Sequence, residues 1–359
     1  PGFKFTLTDC PGHRDFIKNM INGTSQADVA LLVVSAAYGE FEAGISRLGQ
    51  TREHSLLAFC LGVKHIIVSV NKMDSPTVNW NEGRYGEICL EMKDFLRRAG
   101  YKPEMISFVP ISAWTGDNLI SPFRGAEWYT GPSLLEVIQS IEVPSRLTDK
   151  PLRVPLSDVY SIMGIGTVIT GRVAYGKLKT GMRLTLAPSE LTHECRELEV
   201  NSVTVDEATS GDTVGINIPF LDRTLIRRGF VVSDPSNSPA FETESFKAHI
   251  IVLNHPTMIK EGYTPMMHCH NASVPVLLYQ LYQKIDQHTK EVVEESPPHL
   301  VRAECGVCEF VPLKPVCVEA FSEFPVLGRF ILRDMRCSVA VGVVKEVKKK
   351  VMPRDALRR

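Results

Sequence analysis

Through the first 142 residues, short runs that are apolar almost throughout alternate with stretches whose apolar positions recur every three or four residues. The short runs, FKFTLTD (3–9), DVALLVVSA (28–36), HIIVSVNKMD (65–74) and SFVPIS (107–112), predict strands. Between them, Phe16, Ile17, Met20 and Ile21 fall at helical spacing, as do Tyr85, Ile88, Met92, Phe95, Leu96 and Ala99 in a second helix that stops at Gly100. Ser133-Leu-Leu-Glu136 opens a third helix with a capping box. Nearly continuous apolar strands separated by helices mean a parallel sheet covered on both faces.

The pattern changes after VPSRLTDKP (143–151), which reads as a linker. From 152 to 232 the text is short strands and glycine turns, among them GTVITGRVAYG, MRLTLAP, RELEVNSVTV and DTVGINIP, and predicts an all-β barrel or sandwich. SDPSNSPAF (233–241) is a second linker. A further β-rich block, 242–347, runs from KAHIIVLN to CSVAVGVVKEV, and a basic tail, 348–359, follows. The expected organisation is one α/β domain (1–142) and two β domains, in keeping with a length of 359 residues.

Composition narrows the partners only a little. A formal net charge of −1 argues neither for nor against a nucleic acid. No apolar run is long enough to cross a bilayer as a helix, so no membrane partner is expected. The nine cysteines are scattered through apolar runs and read as buried thiols of a cytosolic protein. CGVC (305–308) has metal or redox spacing but no second pair, and His268-Cys269-His270 has no partner pattern.

The chemistry collects at the predicted strand ends, where open α/β sheets bind ligands. After 3–9 comes a turn, DCPGH (9–13), that leads into a helix and suits a phosphate and a metal ion. NKMD (71–74) ends the strand from 65, and ISAWTGDN (111–118) follows the next one. The Asp74 carboxylate can accept two hydrogen bonds from guanine, at N1–H and the exocyclic amine, a pair that adenine does not offer. Lys72 can lay its methylene stem on the base, while Asn71 can hydrogen-bond to the base and brace neighbouring loops. Small residues at Ser112 and Ala113, ahead of Trp114, let backbone N–H groups approach the guanine O6. DCPGH, NKMD and SAW stand in the order of the nucleotide-site motifs of GTP-binding proteins.

With DFIKNMINGTSQAD, GEFEAGISRLGQTREH and DVYSIMGIGTVITGRV, these motifs resemble the translation elongation factor 1-alpha family over essentially the whole chain. The resemblance implies an α/β P-loop-GTPase-like domain followed by two β barrels, and delivery of aminoacyl-tRNA to the ribosomal A site, with GTP hydrolysis releasing the tRNA. It implies GTP/GDP and Mg2+ as cofactors. Partners would be the ribosome, aminoacyl-tRNA and a guanine-nucleotide exchange factor, with the chain a cytoplasmic monomer. On this resemblance Asp9 holds Mg2+ through water, the Gly12 N–H binds the γ-phosphate and His13 is catalytic, orienting the attacking water. Lys18, Asn19, Arg228 and Gly229 match tRNA-facing positions of the family.

One part is missing from the text. The family carries a G-x-x-x-x-G-K-[ST] phosphate loop ahead of the DCPGH strand. Here the spacing recurs only in GRVAYGKL (171–178), with Leu178 where Ser or Thr must meet the metal, and between strands of the first β domain. The sequence is therefore expected to be N-terminally truncated and inactive by itself as a GTPase, with an unpaired strand edge in its first domain. Two other readings share this architecture: a sibling GTPase delivering a release or rescue factor, and a truncated RNA-binding module that does not hydrolyse GTP.

Overall fold

A computed structural model describes residues 5–350 except 47–48, 143–145, 288, 290 and 335–336, and except the side chains of Arg14 and Lys18. It divides the chain into two compact units, residues 1–144 and 145–359.

In the first unit β1 (Val29–Ser35), β2 (His65–Asn71) and β3 (Ile106–Pro110) form a parallel sheet in that order. Five helices accompany it: α1 (Ile17–Thr24), α2 (Glu40–Ile45), α3 (Gln50–Cys60), α4 (Glu82–Ala99) and α5 (Leu134–Ser140). Side chains alternate across β2, so Ile66, Val68 and Val70 join Ile88, Met92 and Leu96 of α4 in one core. Ile67 joins Val109 with Leu134 and Val137 of α5 in a second core on the other face. The two helices end as their sequences require. Asn81 Oδ1 caps α4 by accepting from the Arg84 N–H (2.8 Å), and Gly100, at φ 111°, terminates it in the left-handed region. At α5, Ser133 and Glu136 close the capping box, the Ser133 N–H donating to Glu136 Oε2 at 2.8 Å.

The strand predicted over 3–9 does not form in its described part. Residues 5–9 have no regular structure, and Leu7 is 85% exposed. Alternation of apolar residues does not supply a ladder, and no described strand pairs with this segment; β1 has a strand neighbour only in β2. Its open side leaves Leu31 and Val33 exposed. Residues 3–4 lie outside the described residues.

The second unit is built of antiparallel strands. Eight of them, between Val154 and Ser233, curl around a core that includes Leu156, Ile169, Leu184 and Ile216. The chain there enters through the hairpin β4 (Val154–Ile162) and β5 (Gly166–Arg172). In the last domain, six strands close on themselves, because Met266–Cys269 pairs with both Arg329–Asp334 and Ala272–Ile285; Val292–Glu295 is added outside the ring. The final strand, Cys337–Lys349, takes in Lys348 and Lys349 from the segment read as a tail, while 351–359 lie outside the described residues. Between the two barrels Arg153 and Glu319 form a buried ion pair (2.9 Å), with the guanidinium 4.3 Å above the Phe324 ring.

Candidate functional site: the guanine-reading loops

Three strand ends meet at one edge of the parallel sheet, and backbone hydrogen bonds knit the loops that leave them. Past β1, the Ala36 N–H donates to the Asn71 carbonyl (2.8 Å). Past β3, the Ile111 N–H donates to the Val70 carbonyl (2.8 Å), and the Met73 N–H to the Ile111 carbonyl (3.2 Å). NKMD therefore lies between its two neighbours rather than hanging free.

Asn71 is the joint of the site. Its Oδ1 accepts from the Lys72 N–H at 2.7 Å and from the Ala113 N–H at 2.9 Å, so one amide oxygen ties NKMD to SAW. Lys72 stands at φ 65°, a conformation uncommon for a side chain with a Cβ and kept here by that bond. The Lys72 ammonium meets Glu40 Oε2 at 2.6 Å. Asp74, two residues on, has no hydrogen-bond or ion-pair partner among the described residues, which leaves both carboxylate oxygens open to a base. In the SAW loop, Trp114 is 92% exposed.

The SAW loop is pinned from below. Buried Asn118 donates from Nδ2 to the Pro110 carbonyl (2.7 Å) and accepts the Phe123 N–H on Oδ1 (3.2 Å). The Ser112 N–H is taken by the Asp117 carbonyl (3.1 Å), and its hydroxyl oxygen accepts the Thr115 N–H (3.2 Å). The Ser112 and Ala113 N–H groups are thus both engaged within the protein.

The residues of the phosphate end do not join this cluster. Asp9, Gly12 and His13 are exposed, and none of them hydrogen-bonds to NKMD or SAW among the described residues. The segment is held to α1 by Cys10, whose thiol lies close enough to Gly23 that a Cβ there would meet its sulfur at 2.5 Å. Burial raises the Cys10 thiol pKa, with the Asp9 charge adding to it. His13 caps its own turn, with Nδ1 accepting the Asp15 N–H at 3.3 Å. Space around Gly12 is open.

The remaining expected residues are dispersed. Lys18 and Asn19 are in α1, with Asn19 exposed and the Lys18 side chain outside the described residues. Arg228 is exposed, but Gly229 is buried in a turn at φ 86°, where a Cβ would lie 2.6 Å from the Ala272 backbone; packing between the barrels requires that glycine. Cys305 and Cys308 face opposite sides of their strand, one half-buried and one buried, so they cannot share a ligand. His270 is not in the strand with His268 but in the turn after it, at φ 42°. Leu178 of the G-x-x-x-x-G-K spacing is a core residue of the first barrel.

Sequence reasoning missed two supports. Glu40 pairs with Lys72, and Arg84 reaches Ala36 and Glu42, partners distant in the chain. Arg84, its side chain buried, donates to the Ala36 carbonyl (2.9 Å), Glu42 (2.8 Å) and Glu87 (2.9 Å) and stacks on Tyr38. The only available signal was an arginine on the otherwise apolar face of α4, four residues ahead of Ile88.

The family models agree with this architecture. The Elongation factor Tu GTP binding domain matches residues 1–145, Elongation factor Tu domain 2 matches 166–233, and the GTP-eEF1A C-terminal domain-like model matches 245–345. A GTPase domain followed by β-barrel domains defines the class, a translational GTPase. Elongation factor 1-alpha of Stylonychia lemnae is 50% identical over 346 residues, covering 96% of this chain and 78% of that protein. That of Tetrahymena pyriformis is 50% identical over 348 residues, covering 97% and 80%. The chain belongs to the elongation factor 1-alpha family. Among solved structures, sup35 complexed with GMPPNP is 34% identical with a TM-score of 0.54, covering 90% of this chain and 79% of that one. The apo form of elongation factor SelB from Methanococcus maripaludis shares the fold, with a TM-score of 0.70 at 23% identity over 96% of this chain and 70% of that one. Guanine-nucleotide binding and a role in translation elongation follow from the family. No helix among the described residues is long and apolar enough to cross a membrane.

Proposed function

We propose that this chain delivers aminoacyl-tRNA to the ribosomal A site in its GTP form and lets it go after hydrolysis. The observation that carries the nucleotide half of this reading is the Asn71 brace, which fixes NKMD against SAW and leaves the Asp74 carboxylate open. A carboxylate without a protein partner, on a loop already rigid, accepts the guanine N1–H and exocyclic N–H with little left to order. Lys72 and Trp114 supply flat apolar surface beside it.

At the other end Gly12 would offer its N–H to the γ-phosphate, and His13 would hold the attacking water. Mg2+ neutralises charge on the phosphates when bound. Among the described residues no three His, Cys, Asp or Glu side chains converge, so Asp9 offers that ion a single carboxylate, reached through water. That is enough for an ion that keeps most of its water and takes phosphate oxygens as ligands. The tRNA would meet Lys18 and Asn19 of α1 and Arg228 of the first barrel, with Gly229 shaping the turn that presents Arg228. An exchange factor, a monomeric state and a cytoplasmic location complete the reading. Because the 359 residues contain no G-x-x-x-x-G-K-[ST] run, we infer that they do not by themselves turn over GTP.

Fluorescent GDP titrated into the chain, with GTP and ATP as competitors, tests the base end. Displacement by GTP alone is expected, and Asp74→Asn should weaken binding by roughly 10- to 100-fold, the loss of about 1–3 kcal/mol for an unmet buried polar contact. Equal displacement by ATP would refute guanine reading. Turnover of GTP by the chain alone would refute its inactivity, and retention of deacylated as tightly as aminoacylated tRNA would refute the delivery role.

A further inference from the structure

Lys72 is held at both ends. Its backbone N–H is bound to Asn71 Oδ1, and its ammonium lies 2.6 Å from Glu40 Oε2. Glu40 is itself fixed. It is the first residue of α2, just past the end of β1 at Ser35. The hydrogen bond from Lys72, then that from Ser35, lowers the Glu40 carboxyl pKa, so the group stays ionised at neutral pH.

The start of α2 is equally constrained. Glu42 Oε2 accepts the Gly39 N–H at 2.7 Å, and Glu42 Oε1 accepts from the buried Arg84 guanidinium at 2.8 Å. Arg84 reaches across to the Ala36 carbonyl as well. The carboxylate that meets Lys72 therefore stands on a segment tied to the helix behind it.

Both partners of the Lys72–Glu40 pair are about half exposed, 50% and 53%. Pairs so exposed add little to folding, because water screens them and two long side chains lose freedom. What this pair does is tie the far end of the Lys72 side chain, two residues ahead of Asp74, to the start of α2. Order imposed before a ligand arrives need not be imposed by it.

We propose that Glu40 is a positioning residue for guanine recognition, acting through Lys72 by holding its ammonium so that the stem forms one wall of the base site. The proposal rests on the reading of Asp74 and Lys72 given under Proposed function. It separates the two tasks of the loop: Asp74 selects the base by hydrogen bonds, while Lys72 and Glu40 set how tightly any purine of that shape is gripped.

The test uses the full chain and fluorescent GDP, with GDP and IDP as competitors; IDP lacks the exocyclic amine. Glu40→Gln should weaken GDP binding about 3- to 10-fold, leave the GDP-over-IDP preference unchanged and leave the thermal midpoint in place. Lys72→Ala should weaken it by at least as much, and the double variant no further than Lys72→Ala alone, since the two residues act as one unit. Asp74→Asn should instead abolish the preference. Unchanged GDP affinity in Glu40→Gln overturns the proposal alone, as does a loss that adds fully to that of Lys72→Ala. Absence of GDP binding by the unmodified chain, or an Asp74→Asn chain that still prefers GDP, overturns the guanine reading and the proposal with it.

Discussion

Two ion pairs in this protein have similar separations and opposite surroundings. Arg153 and Glu319, 2.9 Å apart, are buried between the two barrels, with side chains 0% and 2% exposed. Lys72 and Glu40, 2.6 Å apart, stand half in water at the NKMD loop proposed to read guanine. Burial makes the first pair costly to break, because water cannot take the place of the lost partner. The second can be broken at almost no cost to the fold. A buried pair records what the architecture depends on, whereas an exposed pair kept on two rigid segments records where a side chain has to point.

The largest effect should come from the buried pair. Arg153→Ala leaves Glu319, among the described residues, with Lys349 at 3.5 Å and removes the guanidinium above Phe324. It should destabilise the second unit by about 3–5 kcal/mol. All three tryptophans, Trp80, Trp114 and Trp128, are in the first unit, so tryptophan fluorescence follows that unit, while hydrogen exchange in the barrel strands follows the other. In Arg153→Ala, barrel exchange should quicken with the tryptophan transition unmoved. A double change to Arg153→Met and Glu319→Leu, which removes both charges and keeps volume, should recover most of the loss. Failure to recover would mean the pair adds net stability, not merely a penalty when halved.

The same interface should respond to acid. His270 is buried, its Nε2 3.1 Å from the Cys317 carbonyl, and burial lowers its pKa from 6.5 to about 4. It is neutral in the folded protein, whereas the unfolded chain takes up a proton below its ordinary value. Between those values the unfolded state binds more protons, so stability falls as pH drops from 6.5 toward 4. The slope is at most about 1.4 kcal/mol per pH unit for one group. Urea midpoints of the barrel unit at pH 7, 6 and 5 should decline, and His270→Gln should flatten that decline. Equal slopes with and without His270 would exclude it as the acid-sensitive group. The NKMD and SAW loops contain no histidine, and the hydrogen bond from Lys72 lowers the Glu40 carboxyl pKa, so the Lys72–Glu40 pair should persist at pH 7, 6 and 5.

The difference between these regions also explains what could be read in the sequence. Strands β1, β2 and β3 were legible because an apolar run bounded by turn residues has few other uses, and α4 because its 3.6-residue period ends at a glycine. NKMD and SAW stand together as strand-end loops joined through Asn71, and the guanine reading proposed for them rests on the few residue types that can meet that base. The failures have physical causes as well. Residues 3–9 alternate as a strand should, but a strand is a property of two segments, and the described residues offer this one no ladder. Helix α3 carries its buried Ser55, Leu57 and Ala58 without a clear apolar period, so tertiary packing decides it. Arg153 finds its partner 166 residues away, and Glu40 finds Lys72 across 32, distances at which single charged residues carry no signal.

The smallest of the effects is also the most local, and it sharpens the comparison at the guanine loop. Asn71 Oδ1 receives two backbone N–H groups, from Lys72 and Ala113, on a half-buried loop. Asn71→Ala removes the acceptor of both at once. Water can reach part of the loop, so the cost to the fold of the first unit should be modest, about 1–2 kcal/mol. The consequence for geometry is larger than for stability: Lys72 loses the bond that keeps it at φ 65°, and the SAW loop loses its tie to NKMD. Tryptophan emission should register this directly, because Trp114 stands one residue beyond Ala113 and is exposed. A shift in Trp114 anisotropy toward greater freedom, with the urea midpoint of the first unit displaced only slightly, is the expected result, read in a chain with Trp80 and Trp128 replaced by Phe. Unchanged anisotropy would mean that Asn118 and the Ser112–Asp117 bond hold the SAW loop without Asn71. The brace would then serve Lys72 alone, and Asn71 and Glu40 would be two anchors of a single side chain.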